Sequence, residues 1–137
     1  MPKPKRFHYS FLVLFLINSS FLISAQEEQE NENKKEASAL YEQGFQKNEA
    51  EDFQAALNEL NQAIQLDPQK PQYYHARGNA QAGLRYFQKA IKDYEHAIEL
   101  EPENGEFYFS RGLAQFIKAI KDYDQAISRD PQNAKYF

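Results

Sequence analysis

The sequence predicts an all-α protein: a right-handed α-solenoid of antiparallel helix pairs that ends in one long fused helix. Three observations carry that prediction. The phrase Ala63-Ile64-Gln65-Leu66-Asp67-Pro68 returns as Ala97-Ile98-Glu99-Leu100-Glu101-Pro102. The apolar residues between the copies follow helical spacing. A third copy, Ala126-Ile127-Ser128-Arg129-Asp130-Pro131, arrives early, five positions short of the interval that separates the first two. A fixed period of this size marks stacked supersecondary units, each unable to bury its apolar face alone.

The chain opens on an address. Met1 to Tyr9 is basic, Phe11 to Ile23 is apolar with Asn18-Ser19-Ser20 inside it, and Ser24-Ala25 precedes the polar Gln26-Glu27-Glu28. This is the order of a secretory signal peptide, so residues 1–25 are expected to be cut after Ala25 and the remainder exported to the periplasm or beyond. The thirteen-residue stretch Phe11 to Ile23 falls short of the ~20 that span a bilayer comfortably. No stable membrane anchor is therefore expected after cleavage; an uncleaved anchor and a coincidental buried segment are the alternatives. No cysteine follows the apolar core to carry a lipid. Residues 26–36 contain no apolar side chain and are expected to form a disordered acidic linker, with a frayed helical extension as the alternative.

The first repeat unit is 37–70. Leu40, Tyr41, Gly44 and Phe45 fall at helical spacing, and a polar break covers Asn48 to Asp52. Phe53, Ala56, Leu57, Leu60, Ala63 and Ile64 then form a second helical stripe. Asp67-Pro68 stops it, because proline disfavours helix at the preceding residue. The second unit, 71–104, repeats the plan. Gly44, Gly78 and Gly112 occupy equivalent places on the first helices, and alanine pairs such as Ala90 and Ala97 do so on the second. Small residues there let helices approach closely, while Phe53, Phe87, Tyr94 and Tyr123 fill the adjacent space. Arg77 and Arg111 precede glycines, and Asp93 and Asp122 sit in equivalent places on the second helices. An intra-unit ion pair of small, solvent-exposed value is expected from each set.

These residues resemble the tetratricopeptide repeat, a helix–turn–helix unit of about 34 residues. The family's pattern is met by Tyr74, Gly78, Ala90, Tyr94, Ala97 and Pro102 in the second unit, and by Leu40, Gly44, Ala56, Leu60, Ala63 and Pro68 in the first. The resemblance covers residues 37 to 137. It implies a concave groove, lined by the first helices, that takes an extended peptide or a helix. Carried over by position, the groove would show Ser38, Tyr41, Phe45 and Asn48 from the first unit. The second would offer Gln72, His75, Asn79 and Ala82, and the third Glu106, Phe109 and Leu113. The family's best-known groove clamps a C-terminal carboxylate with lysine, arginine and asparagine. Here only Asn79 matches, so the resemblance implies an apolar, aromatic-lined groove.

The shortened third unit, 105–133, departs from the pattern. Ser110-Arg111-Gly112-Leu113-Ala114-Gln115 aligns with Ala76 to Gln81, and the five-residue turn that should follow is missing. No Gly, Pro, Asn or Asp lies between Leu113 and Lys121 to make another turn. The two helices are expected to fuse from about Glu106 to about Arg129, roughly 35 Å at 1.5 Å per residue. Phe109, Leu113, Phe116, Ile120, Tyr123 and Ile127 make one apolar stripe along it. The first half is expected to pack on the second unit and the second half to project or fray, with self-association through the stripe as the alternative. Residues 134–137 resemble the opening of a fourth, truncated unit.

Chemistry of other kinds is not encoded. The chain has 137 residues, 42% hydrophobic and 15% aromatic, enough for one small domain. It has no cysteine, which excludes disulfides, thiolate metal sites and a cysteine nucleophile. Beyond the leader it holds 13 basic and 20 acidic residues, which argues against nucleic acid and anionic membranes as partners. His75 and His96 stand far apart in sequence without an i,i+4 partner, and no phosphate loop or nucleophile–base set is present. No cofactor, metal site or enzymatic activity is expected. The reading is a non-enzymatic protein–protein interaction scaffold of the cell envelope or secreted space. Its alternatives are a structural remnant of a longer array and an accessory segment of a longer exported protein.

Overall fold

The computed structural model describes residues 7–133 and Lys135, with side chains described from Ser20 onward. It contains five helices: α1 (Phe7–Glu49), α2 (Phe53–Leu66), α3 (Pro71–Gly83), α4 (Phe87–Leu100) and α5 (Gly105–Arg129). The chain divides into two units, residues 1–35 and 36–137. Residues 1–6 of the expected leader lie outside the described residues, as do Ala134, Tyr136 and Phe137 of the expected fourth repeat.

Residues 26–36 are helical, which corrects the expectation of a disordered linker. Glu, Gln and Lys are strong helix formers, and side-chain pairs four apart support one another there. Gln29 donates to Asn33 at 2.9 Å and Lys34 to Glu30 at 2.6 Å. No helix among the described residues is long and apolar enough to cross a membrane.

The described residues from 36 onward form a stack of hairpins. Helix α2 starts where the Asp52 carboxylate accepts the Ala55 N–H at 3.2 Å, and α5 where Asn104 Oδ1 accepts the Glu106 N–H at 3.1 Å. Pro71 opens α3 at a position where no N–H is needed. Asp67 and Glu101 leave the helical region ahead of Pro68 and Pro102, ending α2 and α4 as the sequence requires. The tight α1–α2 and α3–α4 turns place Glu51 and Arg85, one repeat apart, at φ 59° and 63°.

Each hairpin closes over its glycine. A Cβ on Gly44 would lie 2.7 Å from Leu60 Cγ, and one on Gly78 would lie 2.5 Å from Tyr94 Cε1. Leu60, Ala56, Ala63, Ala90 and Ala97 are fully buried around these contacts. Burying a leucine this completely contributes about 2 kcal/mol. Neighbouring hairpins then share cores: Tyr73 packs with Ala37 and Ala63, and Phe107 with Tyr74 and Ala97. The Arg77 guanidinium grips both Asp93 carboxylate oxygens, at 2.8 and 2.7 Å, and donates to Asn61 at 2.8 Å. The pair is largely buried, with side-chain exposures of 22% and 9%, rather than the exposed pair expected. A bidentate charge pair in this setting orients the two helices as well as attracting them.

Helix α5 is continuous across the place where the turn is missing. Phe107 and Ala114 are buried and Ile117 packs on the α4 core, while Ala119, Ile120 and Tyr123 are exposed. Gly112 meets nothing within 4 Å. Arg111 and Asp122 do not pair: Asp122 accepts from Lys118, one turn back on the same helix, at 2.7 Å.

Replacing Gly78 by alanine forces the Tyr94 ring out of its seat, an overpacking expected to cost about 1–3 kcal/mol. Gly105 has open space around it, so Gly105→Ala is expected to be neutral or to stabilise by up to about 1 kcal/mol. Urea unfolding midpoints of the two variants check this contrast.

Candidate binding groove

The first helices of the three units, α1, α3 and α5, together line a cavity of about 190 Å³. Tyr41 and Phe45 come from α1, Gln72, His75, Ala76 and Asn79 from α3, and Asn104, Glu106 and Phe107 from the start of α5. A helix presents residues three and four apart on one face, which is why Tyr41 and Phe45, and Gln72, His75 and Asn79, arrive together.

Of the residues expected from sequence, Tyr41, Phe45, His75 and Asn79 meet in this cavity, joined by Gln72 and Glu106. Asn48 does not line it. Its amide donates to the Ala76 carbonyl at 2.8 Å, tying α1 to α3. Leu113 and Ala82 line a second small hollow between α3, α4 and α5, with Asn79 shared between the two. Phe109 is not among the lining residues of either and is 71% exposed. Ser38 is exposed and outside both. Asn104, Ala76 and Phe107 are additions. Phe107 had a legible signal, since it stands one repeat after the buried Tyr73.

The lining groups have distinct states. Tyr41 stacks on Tyr73 with ring centroids 5.0 Å apart, so it is half scaffold and half wall. Phe45 is 41% exposed and leans on Tyr41 alone among the described aromatic rings. Asn79 Oδ1 accepts the Tyr94 hydroxyl proton at 2.9 Å, which leaves its NH₂ as the donor available to a guest. Tyr94, committed to that bond and buried, has its pKa pushed well above the ordinary phenol value, chiefly by burial. His75 Nε2 lies 2.9 Å from Ser110 Oγ, and its ring sits 5.0 Å from Phe107 and 5.6 Å from Tyr94. Burial pulls its pKa down, and the nearby Glu106 carboxylate opposes that shift without cancelling it.

No lysine or arginine lines the cavity, and Glu106 is its one acidic group. Among the described residues no cluster of three or more His, Asp or Glu could hold a metal ion.

Stacked helix–turn–helix hairpins whose first helices form a groove define a class: α-helical repeat proteins that bind other polypeptides along one face. Residues 37–84 match the family described as "TPR repeat", and residues 71–104 that described as "Tetratricopeptide repeat". The chain is a tetratricopeptide-repeat protein. A comparison with curated proteins finds no match. Among solved structures, the Arabidopsis OM64 TPR domain is similar at 27% identity and TM-score 0.59, over 76% of this chain and 90% of that one. The first TPR of Spaghetti (RPAP3), bound to the HSP90 peptide SRMEEVD, is similar at 25% identity and TM-score 0.59, over 75% and 86%. The first TPR domain of human RPAP3 shares the fold at 24% identity and TM-score 0.61, over 77% and 88%.

The His75 shift sets a pH dependence. Its folded pKa lies below the ordinary 6.5, so below that pH the unfolded chain takes up a proton that the folded chain refuses. Stability from this source is complete above pH 6.5 and is lost as pH falls. The loss in urea midpoint between pH 7.5 and 5.5 is expected to be smaller in His75→Gln than in the parent.

Proposed function

We propose that this protein is a non-enzymatic interaction module that holds an extended peptide or helix of a partner protein in the α1–α3–α5 groove. The observation that carries the reading is the convergence of Tyr41, Phe45, His75 and Asn79 from successive first helices into one cavity. The fold supports it, since a structural relative with the same hairpin stack is bound to a peptide.

The guest is apolar or aromatic and carries little negative charge. Phe45 and the Tyr41 edge offer it aromatic contact, and the Asn79 amide offers a donor to its backbone carbonyl. An acidic tail such as SRMEEVD would meet Glu106 and no basic lining residue, so like charge opposes it. The basic and apolar order of residues 1–25 supports export by a cleaved leader, and with it binding in the cell envelope or secreted space. A second reading, an accessory repeat segment of a longer exported protein, leaves the groove chemistry unchanged.

Peptides selected from a random library against the protein are expected to be rich in aromatic and aliphatic residues. Phe45→Ala is expected to weaken them about tenfold or more, a loss of about 1.4 kcal/mol, while unfolding is unchanged because the ring is substantially exposed. Fluorescence anisotropy with a selected peptide and with SRMEEVD measures both. Tight binding of the acidic peptide, or indifference to Phe45→Ala, would contradict the assignment.

A further inference from the structure

The second unit shows what the third lacks. In the α3–α4 hairpin, Tyr94 covers Gly78, Asp93 receives the Arg77 guanidinium, and Ala97 packs with Tyr74. The same residue types recur in α5, as Tyr123 with Gly112, Asp122 with Arg111, and Ala126 with Tyr108. Continuity of α5 keeps every one of these pairs apart. Gly112 and Tyr123 stand about three turns apart on a single helix, about 16 Å along its axis. The consequences are visible on both halves. Gly112 faces open space, Tyr108 is 43% exposed where Tyr74 is buried, and Tyr123 is 62% exposed where Tyr94 is buried. Arg111 Nε is buried without a hydrogen-bond partner, and Asp122 turns to the exposed Lys118.

We propose that two copies of this chain associate through α5 as an antiparallel, two-fold pair. Residues 118–129 of each copy take the place of the missing second helix against residues 106–117 of the other. The complementarity comes from the chain itself. The surface that α4 offers α3 is repeated on the second half of α5, and the surface that receives it is repeated on the first half. All three pairs centre on residues 116–118, the midpoint of α5. One two-fold axis there satisfies each pair twice, as an isologous interface requires. The charges agree: Arg111 of one copy meets Asp122 of the other, which supplies the acceptor that Arg111 Nε lacks. Exchange of an identical element between protomers is what a hairpin with too short a turn favours. None of the paired residues, Tyr108, Arg111, Gly112, Asp122, Tyr123 and Ala126, lines the α1–α3–α5 cavity, so a dimer without a peptide ligand, or the reverse, is a distinguishable result.

Sedimentation equilibrium of the full chain tests the proposal with three variants. The parent is expected to be a dimer. Arg111→Asp and Asp122→Arg are each expected to raise the dissociation constant about tenfold or more, and their combination in one chain to recover most of that loss. Inserting a copy of the turn 83–87 between Phe116 and Ile117 restores an intrachain hairpin and is expected to give a monomer with unchanged helical circular dichroism. A monomeric parent at all concentrations would overturn the proposal. So would a dimer unaffected by either charge reversal, which would place self-association elsewhere on the chain. The charge reversals carry the test even if the insertion variant does not fold.

Discussion

The close approach of two helices through a glycine is the contact on which the rest of the structure depends. Gly44 under Leu60 and Gly78 under Tyr94 set how near the paired helices come. That nearness buries the alanines of α2 and α4 and brings the Arg77 guanidinium onto both oxygens of Asp93. A larger residue at either glycine would hold the pair apart and expose the alanine stripes together. The turn is the second half of the constraint. Glu51 and Arg85 adopt left-handed backbone conformations that glycine would adopt without steric cost, so some strain is stored in closing each hairpin.

The groove follows from the same packing. Second helices form the outer layer and first helices the inner one, so side chains on α1, α3 and the start of α5 converge on a shared hollow. Two of its polar groups are fixed by bonds to the scaffold. Tyr94 holds Asn79, and Ser110 meets His75. The groove therefore presents orientated groups rather than flexible ones, which limits the ordering cost of capturing a peptide. Helix α5 belongs to both parts of the molecule. Its first turns complete the groove, while its later turns carry an apolar face that no described helix of the same chain covers.

Much of this was legible in the sequence, for physical reasons. A regular period with glycine and alanine in register states which helices pair and which faces meet. The shortened last interval states that α5 cannot turn, because a hairpin needs residues to reverse the chain. The wall of the groove was only partly legible. Equivalent positions face the groove in regular repeats, which located Tyr41, Phe45, His75 and Asn79. The same rule placed Asn48 and Phe109 there, and neither lines the cavity. Asn48 bonds to the α3 backbone instead, a choice that depends on local distances and not on spacing. Phe109 lies on α5, where the regular repeat geometry has been lost. The buried Arg77–Asp93 pair was legible as a pair but not as a buried one, since burial depends on how closely the neighbouring hairpin packs. Residues 26–36 misled by composition: lacking apolar groups argues against a core, but it does not argue against a helix supported by side-chain pairs one turn apart.

The central claim is that residues 106–129 form one helix, and the chain lends itself to a direct distance measurement because it has no cysteine of its own. Spin labels on Glu106→Cys and Arg129→Cys, with the labelled chain diluted into excess unlabelled protein, report the intrachain separation by pulsed electron resonance. One continuous helix predicts a distribution centred at roughly 35 Å. A distribution centred near the ~10 Å spacing of packed helices would show that the third unit folds back on itself, and would contradict the account.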